Sequence, residues 1–128
     1  MHRHAHWFIR LPFAATFLYH GLGKLFEPGA AAMMGVSTGP FVLAGIAEVL
    51  ASVGAVVGGV PGAPRRALVS RLAGVAAAPV MLGAIVMFHW PQWSFVANEL
   101  KPMGGMEFQV LLLGVATWFA LGGGDPQA

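Results

Sequence analysis

Among the ionisable side chains within or at the ends of the apolar stretches of this chain, five fall toward one end: His20, Lys24, Glu48, His89 and Glu107. A charge among apolar residues is costly unless it meets a partner, so such groups mark either an ion-pair network or a site that moves protons or ions. His20 and Lys24 are spaced i,i+4, which places them on one helix face, where the ammonium can reach toward Glu48 or Glu107 and the imidazole can relay a proton. Glu48 is the sharpest position, because Gly45-Ile46-Ala47-Glu48-Val49-Leu50 is otherwise wholly apolar. Quinone reduction takes up protons and needs a polar pocket reached from lipid, so a carboxylate there suits a proton donor or acceptor for a bound quinone. The same residues serve as well to fix helix register through ion pairs.

Other chemistries find less support. His20 and His89 could face each other as axial haem ligands, but their different depths argue against it. Two histidines with Glu48 or Glu107 form a conceivable metal set, yet no local spacing such as HxxxH occurs, and no metal site is assigned. His2, His4 and His6 alternate beside Arg3 and read as polar residues at a membrane surface. Met33-Met34, Met103 and Met106 read as packing rather than as thioether ligands for copper. No Gly-x-Ser-x-Gly, P-loop or dinucleotide fingerprint is present; Gly21-Leu22-Gly23 lies in an apolar span and lacks both the third glycine and a preceding strand.

The elements that must position these groups are apolar to an unusual degree. The chain of 128 residues is 57% hydrophobic and 9% charged, with a mean hydropathy of +0.72, whereas a soluble domain carries about 25% charged residues. The expected class is all-α, a four-transmembrane-helix bundle in one membrane domain over residues 1–128, with spans near 7–27, 39–60, 66–90 and 104–121. Pro12 and Pro40 fit at or near first turns, Pro28-Gly29 and Pro61-Gly62-Ala63-Pro64 end spans, and Pro79 is expected to kink the third. Residues 91–103 form the longest loop. Ala47, Ala51, Ala55 and Gly59 recur every four residues, with Gly54 and Gly58 one face over, a stripe suited to close helix packing.

Arg3 and Arg10 flank the amino terminus, and Arg65, Arg66 and Arg71 flank the second connection. The positive-inside rule then puts both termini in the cytoplasm and the polar cluster near the outer leaflet, where Trp90, Trp93 and Phe95 look like an aromatic belt. At 1.5 Å per residue, His20 is expected roughly 10 Å and Glu48 roughly 13 Å in from that side, with Lys24 and Glu107 shallower and His89 at the rim. The Arg3 to Ala32 region faintly imitates a signal peptide, but the thirteen residues from His20 to Ala32 make a poor cleavage region, so the first span is expected to be retained. A net charge of +2 with scattered basic residues makes no stripe for nucleic acid, and the absence of cysteine removes disulfides, thiolate nucleophiles and cysteine-ligated metal centres from this chain.

The residues His20-Gly21-Leu22-Gly23-Lys24-Leu25-Phe26 after Arg10, Gly45-Ile46-Ala47-Glu48 followed by Gly54 and Gly58-Gly59, His89, and Gly104-Gly105-Met106-Glu107 together resemble the DoxX/DoxD family of small four-helix membrane proteins. The similarity covers nearly the whole chain, although Gly122-Gly123-Gly124-Asp125 abbreviates the family's glycine-rich close. The resemblance implies a place in membrane oxidoreductase systems, since some relatives are subunits of a thiosulfate:quinone oxidoreductase.

The leading expectation is therefore a quinone-linked oxidoreductase subunit of the bacterial inner membrane, with quinone as ligand and no covalent cofactor. Glu48, His20, Lys24 and Glu107 are the candidate catalytic groups, and His20, Lys24 and His89 the candidate quinone-binding ones. The rival expectation is a non-catalytic accessory subunit that packs against a larger respiratory or photosynthetic complex. Lipid and other membrane subunits, or further copies of the chain, are the expected partners. A transporter is disfavoured, because four short spans lack broken helices and inverted halves.

Overall fold

The computed structural model describes residues 4–122. His2, Arg3 and the Gly123-Gly124-Asp125 close lie outside the described residues. Among the described residues the chain is all-helical, with α1 at Trp7–Phe26, α2 at Ala30–Met33, α3 at Thr38–Val57, α4 at Arg66–Ala84 continued by a π-helical turn at Ile85–His89, and α5 at Glu107–Ala120.

Local sequence explains most boundaries. α1 stops at Phe26, because Glu27 precedes Pro28 and the residue before a proline is driven out of helical geometry. Pro40 falls in the first turn of α3, where its missing N–H has no intrahelical acceptor to lose. Pro12 lies further inside α1 than its expected first-turn place, and α4 runs on through Pro79 as helix. The π turn follows several residues later, closed by the Trp90 N–H donating to the Ile85 carbonyl at 2.8 Å. The one-turn helix α2, inside the first connection, was not expected from the apolar pattern.

Among the described residues two helices are long and apolar enough to cross a membrane, Thr38–Val57 and Arg66–His89. α1 is as long, but Arg10, His20 and Lys24 interrupt its apolar run. α5 has 14 residues, about 21 Å at the α-helical rise.

The long helices pack in the order α1, α3, α4, α5, each chiefly on the next, so α3 and α4 form the centre. The small-residue stripe of α3 is occupied by these contacts: Ala51 and Ala55 are fully buried and Gly54 faces Ala73 of α4. α1 and α3 approach most closely at Gly21 and Gly45, where a Cβ on Gly21 would stand 2.9 Å from the Gly45 carbonyl oxygen. At that crossing Glu48 of α3 packs beside Gly21 and Lys24 of α1 beside Gly45.

α1 and α5 share little contact. They meet at one end of the bundle, where the Phe13 and Phe119 rings lie 5.1 Å apart and the Arg10 guanidinium sits 5.0 Å from the Phe119 ring centre. At the other end, which holds Lys24 and His89, a cavity lies among the four long helices.

Candidate functional site

The cavity has a volume of 1110 Å³ and draws its wall from all four long helices and the π turn. Most of its lining is apolar, including Phe17, Phe41, Val80 and Leu112, and its ionisable groups include His20, Lys24, Glu48 and His89. Four of the five residues singled out in the sequence thus border one space.

Lys24 and Glu48 form its centre. The Lys24 ammonium donates to both carboxylate oxygens, at 2.9 Å to Oε1 and 2.8 Å to Oε2. The Glu48 side chain is 2% exposed and that of Lys24 20%, so the acid is deep and the base shallow. Two further features hold the cation: the last turn of α1, whose carbonyl dipoles favour positive charge, and the Phe41 ring, 5.9 Å from Nζ. The ammonium has three N–H groups and spends two on Glu48.

His20 lies one turn before Lys24 on the exposed side of α1, its ring edge-on to Tyr19 at 5.4 Å. His89 is buried. It ends the π turn, and its Nδ1 lies 2.9 Å from the Gly104 carbonyl oxygen. Only an N–H can satisfy that oxygen, so Nδ1 carries the proton and Nε2 is left as the ring's basic nitrogen. Gly104 has φ +76, and a Cβ there would run into the Phe95 carbonyl, so glycine is required for the chain to bring this oxygen to His89.

The segment between the π turn and α5 is built rather than slack. The N–H groups of Gly105, Met106 and Glu107 donate to the carbonyls of Ser94, Gln92 and Trp93, and Lys101 Nζ donates to the Trp90 carbonyl at 2.6 Å. Trp90, Trp93 and Phe95, on this segment, are exposed.

Glu107 does not join the other four. Its carboxylate accepts the Phe95 N–H at 3.3 Å and borders a separate depression beside Trp93, Phe95 and Phe108. The reason is its place on α5: it opens the helix, where negative charge meets the unpaired N–H groups, and faces the loop instead of Lys24.

Two features were missed in the sequence. Gln109, on the first turn of α5, lines the cavity, and its Oε1 is a buried side-chain oxygen with no hydrogen-bond partner. The available signal was a neutral amide at the head of an apolar run, easily passed over beside charged neighbours. Arg10, read as a flanking charge, is instead fully buried at the opposite end of the bundle. It donates to the Ala55 carbonyl at 2.6 Å, to Ser70 Oγ at 2.9 Å and to His6 Nδ1 at 3.1 Å. Gly59 makes room for it, since a Cβ there would stand 2.7 Å from Arg10 Cδ. This node ties α1, α3, α4 and α5 together away from the cavity.

No family model, curated protein or solved structure matches the chain. The functional reading therefore rests on residues and geometry. Among the described residues no three His, Asp or Glu side chains gather as a metal-ligand set.

Proposed function

We propose that the chain is a small multi-pass membrane subunit of a quinone-linked oxidoreductase system, and that the cavity at the Lys24 end receives the quinone head group. The observation that carries this reading is the cavity itself, apolar over most of its wall and polar where the Lys24–Glu48 pair, His20 and His89 reach it. Its volume suits a ring with an attached apolar tail. The resemblance to the DoxX/DoxD family points the same way.

In the proposed topology α1 and α5 cross the membrane beside the two apolar helices, with both termini in the cytoplasm, the cavity near the outer leaflet, and the bacterial inner membrane as the location. The burdens on α1 are met inside the protein: Lys24 is paired with Glu48, and Arg10 is hydrogen-bonded to Ser70 and the Ala55 carbonyl. In this reading the quinone enters from lipid between α1 and α5, which share little contact.

The side chains fit a quinone. A bound quinone supplies electron-accepting carbonyls that take up protons on reduction. Lys24 retains an N–H to donate to a ring oxygen, Glu48 holds that ammonium in place, and His89 Nε2 exchanges a proton with a ring hydroxyl while Gly104 fixes its tautomer. His20 stands at the exposed edge, where a proton passes between cavity and surroundings. Glu107, on its separate depression, takes no part in this scheme.

The test is purification in mild detergent, followed by mass spectrometry and an optical spectrum of the same preparation. Quinone is expected to copurify with the wild type and to be depleted in Glu48→Gln. Absence of quinone, together with unchanged quinone affinity and turnover of the complex in Glu48→Gln, would sink the proposal. Stable partner chains without quinone would instead support the accessory-subunit reading.

A further inference from the structure

We infer that Lys101 is a positioning residue for His89, locking the end of α4 to the following loop so that the imidazole offers its basic nitrogen to the ring hydroxyl of a quinol; the inference rests on the quinone reading above. The last turn of a helix leaves carbonyls without intrahelical donors, and a cation is favoured there. Lys101 supplies one. Its ammonium donates to the Phe88 carbonyl at 3.3 Å and to the Trp90 carbonyl at 2.6 Å, the residues on either side of His89. The Lys101 backbone completes the circuit: its carbonyl accepts the Gly104 N–H at 2.9 Å, and the Gly104 carbonyl oxygen lies 2.9 Å from His89 Nδ1. One residue therefore grips both the backbone that carries the imidazole and the backbone that holds the imidazole's proton.

Lys101 is itself held in place. Asn98 Oδ1 accepts the Lys101 N–H at 2.8 Å, and the Asn98 N–H donates to the Lys101 carbonyl at 3.1 Å. The consequence for His89 is chemical. A neutral imidazole carries its proton on one of two nitrogens, and the hydrogen bond made by one decides the character of the other. His89 borders the cavity from the end of a π turn, a rare geometry that recurs at functional sites. Its Nε2 has no hydrogen-bond partner yet keeps accessible surface, since among the described residues Gln109 Oε1 is the one side-chain nitrogen or oxygen both unpartnered and sealed. Without the Lys101 bracket, Gly104 is free to leave Nδ1, and the proton is no longer confined there.

The experiment uses the full chain in mixed micelles with isotope-labelled histidine, as wild type and Lys101→Met. Nitrogen NMR without ligand reads the tautomer of His89, assigned by the resonances lost in His89→Gln, and calorimetric titration with a one-isoprenoid benzoquinol reads affinity. The methionine variant is expected to fold, because the Trp90 carbonyl is exposed and water can replace the ammonium on it. Wild-type His89 is expected in the Nδ1–H form alone. Lys101→Met is expected to show both tautomers, with quinol affinity lowered about fivefold, the scale of a hydrogen bond partly lost.

A variant whose His89 stays wholly in the Nδ1–H form overturns the role of Lys101 and leaves the quinone reading standing. A wild type already mixed in tautomer has the same meaning, as does a changed tautomer with unchanged quinol affinity. Wild-type protein that binds no quinol overturns the quinone reading, and this inference with it. Lys101→Gln repeats both measurements should the methionine variant fail to fold, and failure of both variants assigns Lys101 to folding alone and overturns the inference.

Discussion

Replacing Lys24 by methionine removes the counter-charge of a carboxylate that is 2% exposed, and the cost follows from the geometry of the pair. Two unit charges 2.8 Å apart attract by about 6 kcal/mol at an effective dielectric constant of ~20. Withdrawing the carboxylate from water costs several kcal/mol, so the intact pair contributes little net stability. Without Lys24 the desolvation cost stands alone, and Lys24→Met is expected to destabilise by about 3 to 5 kcal/mol. The reverse deletion, Glu48→Leu, should cost less, about 1 to 2 kcal/mol. Lys24, 20% exposed in the last turn of α1, can turn its ammonium outward along its own stem. The double variant Lys24→Met with Glu48→Leu removes both charges and should return to within about 1 kcal/mol of the wild type. Equilibrium unfolding in mixed micelles, followed by far-UV circular dichroism, measures all four corners of the cycle. A Lys24→Met cost below about 1 kcal/mol, or a double variant as unstable as Lys24→Met, would refute the reasoning. The same double variant separates structure from function, since it should fold and yet bind quinone poorly. Undiminished quinone binding by it would reduce the pair to a helix-register device.

Glycine substitutions should sort by what the added methyl group meets. Gly74→Ala drives a Cβ into the Ala116 carbonyl and the Ala120 N–H of α5 and should cost about 1 to 3 kcal/mol, whereas Gly23→Ala meets open space and should be neutral or stabilising by up to about 1 kcal/mol in the same assay. Equal effects at the two positions would contradict the α4–α5 packing. Ser70→Ala takes an acceptor from the fully buried Arg10 guanidinium and should destabilise by about 1.5 to 3 kcal/mol without changing quinone affinity, because the node lies at the end of the bundle away from the cavity. A selective loss of quinone affinity in folded Ser70→Ala protein would show that the two ends are coupled.

The amino-acid sequence by itself determined the helical class and most of the helix ends, and it offered Glu48 and Glu107 as partners for Lys24, between which only the folded chain chose Glu48. Apolar runs bounded by proline and glycine force helices of nearly fixed length, and a carboxylate within such a run needs a partner. It also determined depth along each helix, which put His20, Lys24, Glu48, His89 and Glu107 toward one end. Depth is only one coordinate. The angle at which each side chain leaves its helix, and which helices are neighbours, are decided by packing, and the order α1, α3, α4, α5 was not written in any local pattern. That order sends Glu107 to the loop, turns Gln109 toward the cavity and buries Arg10 against Phe119. The cavity itself exists because α1 and α5 meet at one end and share little contact beyond it, a relation between residues more than a hundred positions apart that only the folded chain can establish.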